Sequence, residues 1–242
     1  LLGGIEAADA ARGDAWLARA CPRELLAGLR LAALRLVFLR LARGLLPALD
    51  LAAARDPWAA LHAHAAALHA THGGALLDPA RHAELAARPL PRAAMLRAAD
   101  LLSEGPDAVA RLGAAHEAML AVTLDRGADG RLRLGPGAER RRTGSHYTPR
   151  ALAGPIVDAA LAPTLADLGP TPTAAQLLDL AICDPAAGGG AFLVEACRAL
   201  ADHLERAWHS AADAPTGDLA LAARRLVAAL GLCGVDVDPQ AV

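Results

Sequence analysis

The sequence predicts a helical region followed by the opening of a doubly wound, parallel α/β sheet. Two observations lead to this prediction. Apolar residues recur with a helical period through the first half of the chain, whereas two short apolar runs alternate with helical segments after residue 150. The 242 residues, of which 55% are hydrophobic, suffice for one large domain or two small ones.

The composition excludes several classes of protein. The hydrophobic content excludes a disordered chain, and the 2% of aromatic residues disfavours a surface that stacks single-stranded nucleic acid. All 24 basic residues are arginine, and asparagine is absent as well. Without lysine the chain cannot contain a P-loop, a Schiff-base lysine or a nuclease site of the PD-(D/E)xK type. The net charge of −2 means that any attraction to nucleic acid or acidic lipid must be local.

The first long apolar run, residues 25–46, has the length of a membrane span. It carries four arginines on several faces of a helix, and each central arginine costs about 2.5–3.5 kcal/mol in a bilayer. We therefore expect a packed helix that begins near Pro22 and ends before Pro47, and no membrane partner. The four cysteines are scattered without a CxxC pair, which is typical of reduced thiols in a cytoplasmic protein.

The helical pattern continues to residue 124. Gly and Pro pairs separate four further helices, at residues 58–70, 79–87, 92–102 and 108–124, so residues 1–124 are predicted to be an all-α scaffold. Residues 125–149 form a connector rich in Gly and Arg, in which Asp129-Gly130 is consistent with a small hairpin.

Four histidines lie in or beside the first of these four helices. No acid or thiol accompanies them at the spacing of metal ligands, so we expect no metal site. We interpret them as part of a solvated helix face: His62, His64, His69 and His72.

Residues 150–242 have the alternating pattern of an α/β protein. Helices are predicted at 152–165, 191–211 and 218–230, and strands at 177–183 and 232–235. Three consecutive glycines, Gly188 to Gly190, lie between the first strand and its helix, where backbone can approach a ligand closely. Asp184 ends the first strand and Asp236 follows the second, so both acids are expected at the carboxyl edge of the sheet, where α/β proteins bind ligands. A tight turn without a ligand is the alternative.

The second acid suits a ribose, because one carboxylate can accept from both hydroxyl groups. It follows the first acid by 52 residues, whereas the dinucleotide-binding fingerprint has a spacing of roughly 20. The spacing therefore argues against a standard NAD site.

Three segments together resemble successive motifs of the γ-class N6-adenine DNA methyltransferases, in the form that carries a helical N-terminal region in type IIG restriction–modification and phage-defence proteins. They are Gly144-Ser145-His146-Tyr147-Thr148-Pro149, the stretch from Leu178 through Asp184-Pro185-Ala186-Ala187-Gly188-Gly189-Gly190 to Arg198, and Gly234-Val235-Asp236-Val237-Asp238-Pro239. Weaker likenesses occur at residues 38–47 and 112–120. The resemblance implies that residues 150–242 are the first half of a class I, Rossmann-like S-adenosylmethionine-dependent methyltransferase domain.

The resemblance also implies that eight residues bind the cofactor: Tyr147, Thr148, Pro149, Asp184, Ala186, Gly188, Phe192 and Asp236. The first three match motif X, which closes over the methionine part of the cofactor. The next three match motif I, which meets its amino and carboxylate groups. Phe192 matches the aromatic residue beside the pocket, and Asp236 matches the motif II acid on the ribose.

Two features depart from the family. Ala187 and Gly189 stand where the family usually has Cys and Ser. The catalytic (N/D)PPY tetrapeptide, which holds a flipped adenine, has no counterpart in the chain. We interpret the chain as a fragment that ends before this motif, name no catalytic residue, and expect the fragment by itself to be inactive.

The function implied by the resemblance is the transfer of a methyl group from S-adenosylmethionine to adenine N6 in double-stranded DNA. The system would be one of restriction–modification or phage defence, whose other subunits would be partners. Two alternatives stay open: an S-adenosylmethionine-dependent methyltransferase of proteins or small molecules, and a non-catalytic DNA-binding subunit with a degenerate methyltransferase fold.

Overall fold

A computed structural model describes residues 1–13, 15–42, 49–100, 108–137, 148–209 and 214–237. The chain divides into two compact units, residues 1–144 and residues 145–242. Each unit has a hydrophobic core of its own. Within the described residues, none of the helices combines the length and apolarity that a bilayer span requires.

The described part of the first unit is a set of helices followed by a hairpin. Its elements are α1 (Leu2–Arg12), α2 (Trp16–Arg19), α3 (Pro22–Leu41), α4 (Pro57–His72), α5 (Ala83–Ala86), α6 (Arg92–Asp100), α7 (Ala108–Leu120), β1 (Val122–Arg126) and β2 (Leu132–Pro136). The long helix α3 begins at Pro22 and ends before Pro47, as predicted. Its buried leucines pack with Trp58, Leu61 and Met95 in the core of this unit.

The hairpin confirms one prediction and corrects another. Strands β1 and β2 pair antiparallel, and Gly130 adopts a left-handed φ of 75° in the turn between them. However, β1 begins at Val122, so the prediction that residues 1–124 are all helical is wrong at its end. The β-branched Val122 and Thr123 favour extended backbone, and the hairpin buries Leu124 in the core.

Helix α5 is shorter than the predicted helix at residues 79–87. The carboxylate of Asp78 accepts from the backbone N–H of Ala80, and the carbonyl of Asp78 accepts from Arg81, so this stretch forms turns. His82 then adopts a left-handed φ of 55° at the start of α5.

Arginine side chains of α3 bind backbone carbonyls of the first unit. Arg35 is 1% exposed and donates to the carbonyl oxygens of Leu76 at 2.8 Å and Asp78 at 2.6 Å. Arg30 donates to the carbonyl oxygens of Met119 and Val122 in the same way, at 3.0 and 2.7 Å. One guanidinium thus satisfies two backbone acceptors that lie far from it along the chain.

His62 contradicts the interpretation of the histidines as a solvated face. Its Nδ1 accepts from Arg35 Nη1 at 3.0 Å, and its ring packs edge-on against Trp58 with centroids 4.4 Å apart. Burial, and then the charge of Arg35, lower the pKa of His62 from 6.5 to about 4. The Nε2 atom of His64 is also buried. The interpretation fails because the burial of a helix face depends on what packs against it.

The described part of the second unit contains four helices and two strands. They are α8 (Arg150–Asp167), α9 (Ala174–Leu178), β3 (Ile182–Asp184), α10 (Ala191–His209), α11 (Leu219–Leu230) and β4 (Leu232–Gly234). Strands β3 and β4 pair in parallel with Cys183 opposite Cys233, which confirms the predicted adjacency of the two apolar runs. The class I fold beyond these two strands stays a prediction.

The first strand of the pair is shorter than predicted. Residues 177 and 178 belong to α9, because Thr173 and Gln176 form a capping box that starts a helix there. Strand β3 therefore occupies only Ile182–Asp184.

Helix α10 organises the second unit. Ala196, Leu200, Leu204 and Trp208 follow one another at intervals of four residues and are all buried against α8 and α11. The N-terminal end of α10 lies directly after the glycine-rich segment, at the carboxyl end of β3. The packing of α10 therefore holds this segment at the edge of the sheet.

Candidate functional site

The glycine-rich turn, residues 184–190, connects β3 to α10. The Oδ1 atom of Asp184 accepts from the backbone N–H of Ala186 at 3.0 Å, and the N–H of Gly190 donates to the carbonyl of Ala187 at 2.7 Å. Gly188 and Gly190 have φ values of 52° and 74°, which residues with a side chain rarely adopt. Internal hydrogen bonds and glycine conformations thus determine the shape of the turn.

The second strand contributes Asp236 to this turn. Pairing continues past β4, since the N–H of Val235 donates to the carbonyl of Asp184 and the N–H of Ala187 donates to the carbonyl of Val235. The N–H of Gly188 then donates to Asp236 Oδ2 at 2.7 Å. Asp184, Gly188 and Asp236, predicted as site residues, therefore lie together at the carboxyl ends of the two strands.

One carboxylate oxygen at this place is buried and unpaired. Asp184 Oδ2 has no hydrogen-bond partner among the described residues, whereas Oδ1 of the same side chain is bonded. A buried acceptor without a donor costs about 1–3 kcal/mol, and more for a charged group. A ligand that brings an N–H or O–H donor would remove this cost.

The surface of the turn is open where it follows Asp184. A Cβ atom added at Gly190 would meet no heavy atom within 4 Å, and one at Gly188 would meet only the Ala186 carbonyl, at 4.0 Å. Gly234 on β4 differs, since a Cβ there would lie 3.0 Å from Leu193 and 3.1 Å from Ala187. Gly234 thus allows the turn to pack closely on the sheet, while Gly188 and Gly190 leave room for a ligand.

An apolar groove reaches the site from the side of α8. Its volume is about 210 Å³, and Asp184, Ile156 and Phe192 are among its lining residues. Its other lining residues are apolar except for the Cys183 thiol. The groove places predicted residue Phe192 beside Asp184, in an arrangement that can receive a ligand with one polar and one apolar part.

The motif X residues are placed less completely. Tyr147 lies outside the described residues. Pro149 caps α8, where its carbonyl accepts from Leu152 and Ala153. Within the described part of the chain, neither Thr148 nor Pro149 forms a hydrogen bond with the turn. Ala186 is exposed, and its N–H is bonded to Asp184.

Sequence reasoning missed Glu195, which is 8% exposed on α10. Its carboxylate pairs with Arg150 Nε at 3.3 Å and with Arg198 Nη1. It thereby ties the start of α8, directly after Thr148 and Pro149, to the helix that follows the turn. The signal available in the sequence was an acid among the apolar residues of a helix, because a buried carboxylate needs a cation beside it.

A larger cavity in the first unit is a weaker candidate. It has a volume of about 650 Å³, and Trp16, Glu24 and Glu84 are among its lining residues. The indole of Trp16 donates to Glu84 Oε1 at 2.9 Å and carries the Arg88 guanidinium 4.2 Å from its ring centroid. None of the described lining residues has a buried polar side-chain atom without a partner, in contrast to Asp184.

Neither a metal-binding cluster in the described residues nor a known relative points to a second candidate site. In the part of the chain that the structure describes, no three His, Cys, Asp or Glu side chains could hold a metal ion. No family model, curated protein or solved structure matches this chain. A functional assignment therefore depends on the residues of the turn and on the three resembling segments.

Proposed function

We propose that the second unit binds S-adenosylmethionine, and that the protein transfers the methyl group of this cofactor to N6 of adenine in double-stranded DNA. One observation carries the proposal: Asp236 binds the backbone of the glycine-rich turn, beside the unpaired buried oxygen of Asp184. The class of substrate, DNA adenine, is supported by the resemblance of the three segments.

The polar groups of the site fit the cofactor. S-adenosylmethionine has an amino group and a ribose diol, both of which are donors, and the site presents two carboxylates. Asp184 Oδ2 would accept from the amino group, and Asp236 would accept from the ribose hydroxyls. The positive end of the dipole of α10, a helix of 19 residues, favours the carboxylate group of the cofactor.

The apolar groove suits the remainder of the cofactor. Ile156 and Phe192 would shield it from water, and the open space at Gly188 and Gly190 lets it approach the backbone. When bound, S-adenosylmethionine supplies an electrophilic methyl group. The described residues would hold and orient the cofactor, and we assign no catalytic residue among them.

We further propose a cytoplasmic location and a role in restriction–modification or phage defence, with the other subunits of such a system as partners. The scattered spacing of Cys21, Cys183, Cys197 and Cys233, without a CxxC pair, favours a reducing compartment.

The cofactor site is tested by calorimetric titration with S-adenosylmethionine. Asp236→Ala is expected to weaken binding by about 1.5–3 kcal/mol, the range for losing a charged hydrogen-bond partner. Asp158→Asn changes an exposed acid on α8 in the same unit and is the matched control, with affinity unchanged. Equal affinities of the wild type and Asp236→Ala would refute the ribose role.

The reaction is tested with tritiated cofactor and mixed-sequence DNA. We expect the 242 residues by themselves to place no label above background, because they contain no (N/D)PPY sequence to hold the flipped base. A chain that combines them with such a sequence in one reading frame is expected to place label on N6 of adenine. Label in protein or small molecules would favour the first alternative. Cofactor and DNA binding by that chain without transfer would favour the second.

A further inference from the structure

Two cysteines lie opposite each other on the parallel strand pair. Cys183 and Cys233 occupy opposing register positions of β3 and β4, and both side chains are exposed. The other two cysteines lie elsewhere: Cys21 is exposed at the start of α3, and Cys197 is half-buried on α10, where its thiol donates to the Arg224 carbonyl.

We propose that Cys183 and Cys233 form a dithiol site that peroxides oxidise to an intramolecular disulfide. The proposal rests on the register and exposure of the two side chains and is independent of the proposed function.

The geometry of a parallel pair favours this bond. Neighbouring strands lie about 4.7–4.9 Å apart, and a disulfide requires a Cα–Cα distance of about 4.4–6.8 Å. Residues opposite each other in register also present their side chains on the same face of the sheet. The Cα spacing therefore permits a disulfide, and the two parallel Cβ vectors must tilt towards each other to reach the Cβ–Cβ distance of roughly 3.5–4.5 Å that the bond requires.

The oxidation consumes one peroxide for each pair. One thiolate attacks the O–O bond of hydrogen peroxide and becomes a sulfenic acid, while the leaving hydroxide takes up a proton to form water. The second thiol attacks the sulfenic sulfur, the S–S bond forms, and the displaced hydroxide leaves as a second water. Two sulfurs lose two electrons in total, and the peroxide is reduced to two waters.

Either thiol can be the one that the peroxide oxidises first, because both side chains are exposed. Desolvation, and then the Cys233 thiol and the Asp184 carboxylate, raise the pKa of Cys183.

The disulfide would join the two strand ends that carry the candidate site. Asp184 directly follows Cys183, and Asp236 lies three residues after Cys233. Oxidation would thus link the segments that supply the two acids, and separation of β3 from β4 would require reduction.

The test uses a Cys21→Ser/Cys197→Ser variant, which retains only the pair. One equivalent of hydrogen peroxide is expected to remove both free thiols, and mass spectrometry of the unreduced digest should show the peptides of Cys183 and Cys233 linked within one chain. Adding Cys183→Ser to this variant should leave Cys233 as a sulfenic acid that dimedone labels. Independent oxidation of the two thiols, or a disulfide that forms only between chains, would overturn the proposal.

A second measurement needs no substitution. Phenylarsine oxide bridges two neighbouring thiols, so it should protect Cys183 and Cys233 of the wild-type chain from alkylation by N-ethylmaleimide while Cys21 still reacts. Alkylation of all three at the same rate would contradict the proposal. Failure of both Cys183 and Cys233 to react before the arsenical is added would also contradict it, because the thiols would then be inaccessible.

Discussion

Arg35 in the first unit and Asp184 in the second use their buried polar atoms differently. Arg35 is almost fully buried, and each of its three side-chain nitrogens donates within the fold, to two loop carbonyls and to His62. In the second unit, Asp184 uses one carboxylate oxygen within the turn and leaves the other buried without a donor. The first arrangement stabilises the fold, and the second leaves a carboxylate oxygen without a donor among the described residues.

The two units also differ in how much of their longest helix is buried. Helix α3 is buried on most of its sides, so even an arginine of this helix is enclosed among leucines. Helix α10 is buried on one face, and its N-terminal end supports an open turn. A helix enclosed on most sides contributes its side chains mainly to the core, whereas a helix that packs on one side leaves its end accessible.

The largest expected effect comes from removing the buried guanidinium. Arg35→Met should lower the free energy of unfolding by about 3–5 kcal/mol, because the carbonyls of Leu76 and Asp78, which belong to half-buried residues, both lose their donor. Urea denaturation followed by Trp fluorescence measures this. Arg12→Met, at an exposed position of α1, is the control and should change the value by less than about 0.5 kcal/mol. A loss below about 1 kcal/mol for Arg35→Met would contradict the stabilising role of this guanidinium in the first unit.

The apolar core of the second unit gives a slightly smaller effect. Leu204 is 0% exposed, and Leu204→Ala should lower the free energy of unfolding by about 3 kcal/mol through lost burial and a cavity. Leu221 is 45% exposed on α11, so Leu221→Ala should change it by less than about 0.5 kcal/mol. Hydrogen exchange of α10 amides reports the local loss. Equal effects of the two substitutions would contradict the burial of Leu204 between α10 and the helices that pack against it.

His62 should make stability depend on pH. Its pKa is about 4 in the folded chain and 6.5 ordinarily, so between these values the unfolded chain binds a proton that the folded chain does not. The free energy of unfolding should therefore fall as pH falls from 6.5 to 4, by about 1–3 kcal/mol. His62→Gln should remove this part of the pH dependence, whereas His72→Gln, at an exposed position, should keep it. Superimposable profiles of the wild type and His62→Gln would contradict the burial of this ring.

The smallest effect on stability is expected at the candidate site. Asp184→Asn keeps an oxygen for the Ala186 N–H and replaces the unpaired oxygen, so the free energy of unfolding should change by less than about 1 kcal/mol. The same change should weaken S-adenosylmethionine binding at least tenfold, about 1.4 kcal/mol. Asp218→Ala is the contrasting control, since Asp218 caps α11 and its loss should cost about 1 kcal/mol without affecting binding. Urea denaturation and calorimetry on the three proteins would separate the two kinds of aspartate, and a large loss of stability in Asp184→Asn would assign this residue to the fold.

Local signals explain which parts of the fold could be predicted. Helical periodicity located α3, α4 and α10 within a few residues, and short apolar runs beside Gly identified β3 and β4 as neighbours. The capping box of Thr173 and Gln176 is also a local signal, and giving it more weight would have corrected the length of β3. The strand β1 was missed because the amphipathic period of α7 runs into it without an intervening Gly or Pro.

The sequence by itself determined the parts of the candidate site: a glycine-rich turn after one strand, an acid at its start, and a second acid after the next strand. Only the tertiary structure decided how these groups meet. The bond from Gly188 to Asp236 joins residues 48 positions apart, and the pairing of Arg35 with His62 joins residues 27 apart. No periodicity relates such partners, because packing of whole helices and strands brings them together. Whether a polar atom ends up paired, as in Arg35, or unpaired, as in Asp184, depends on that packing.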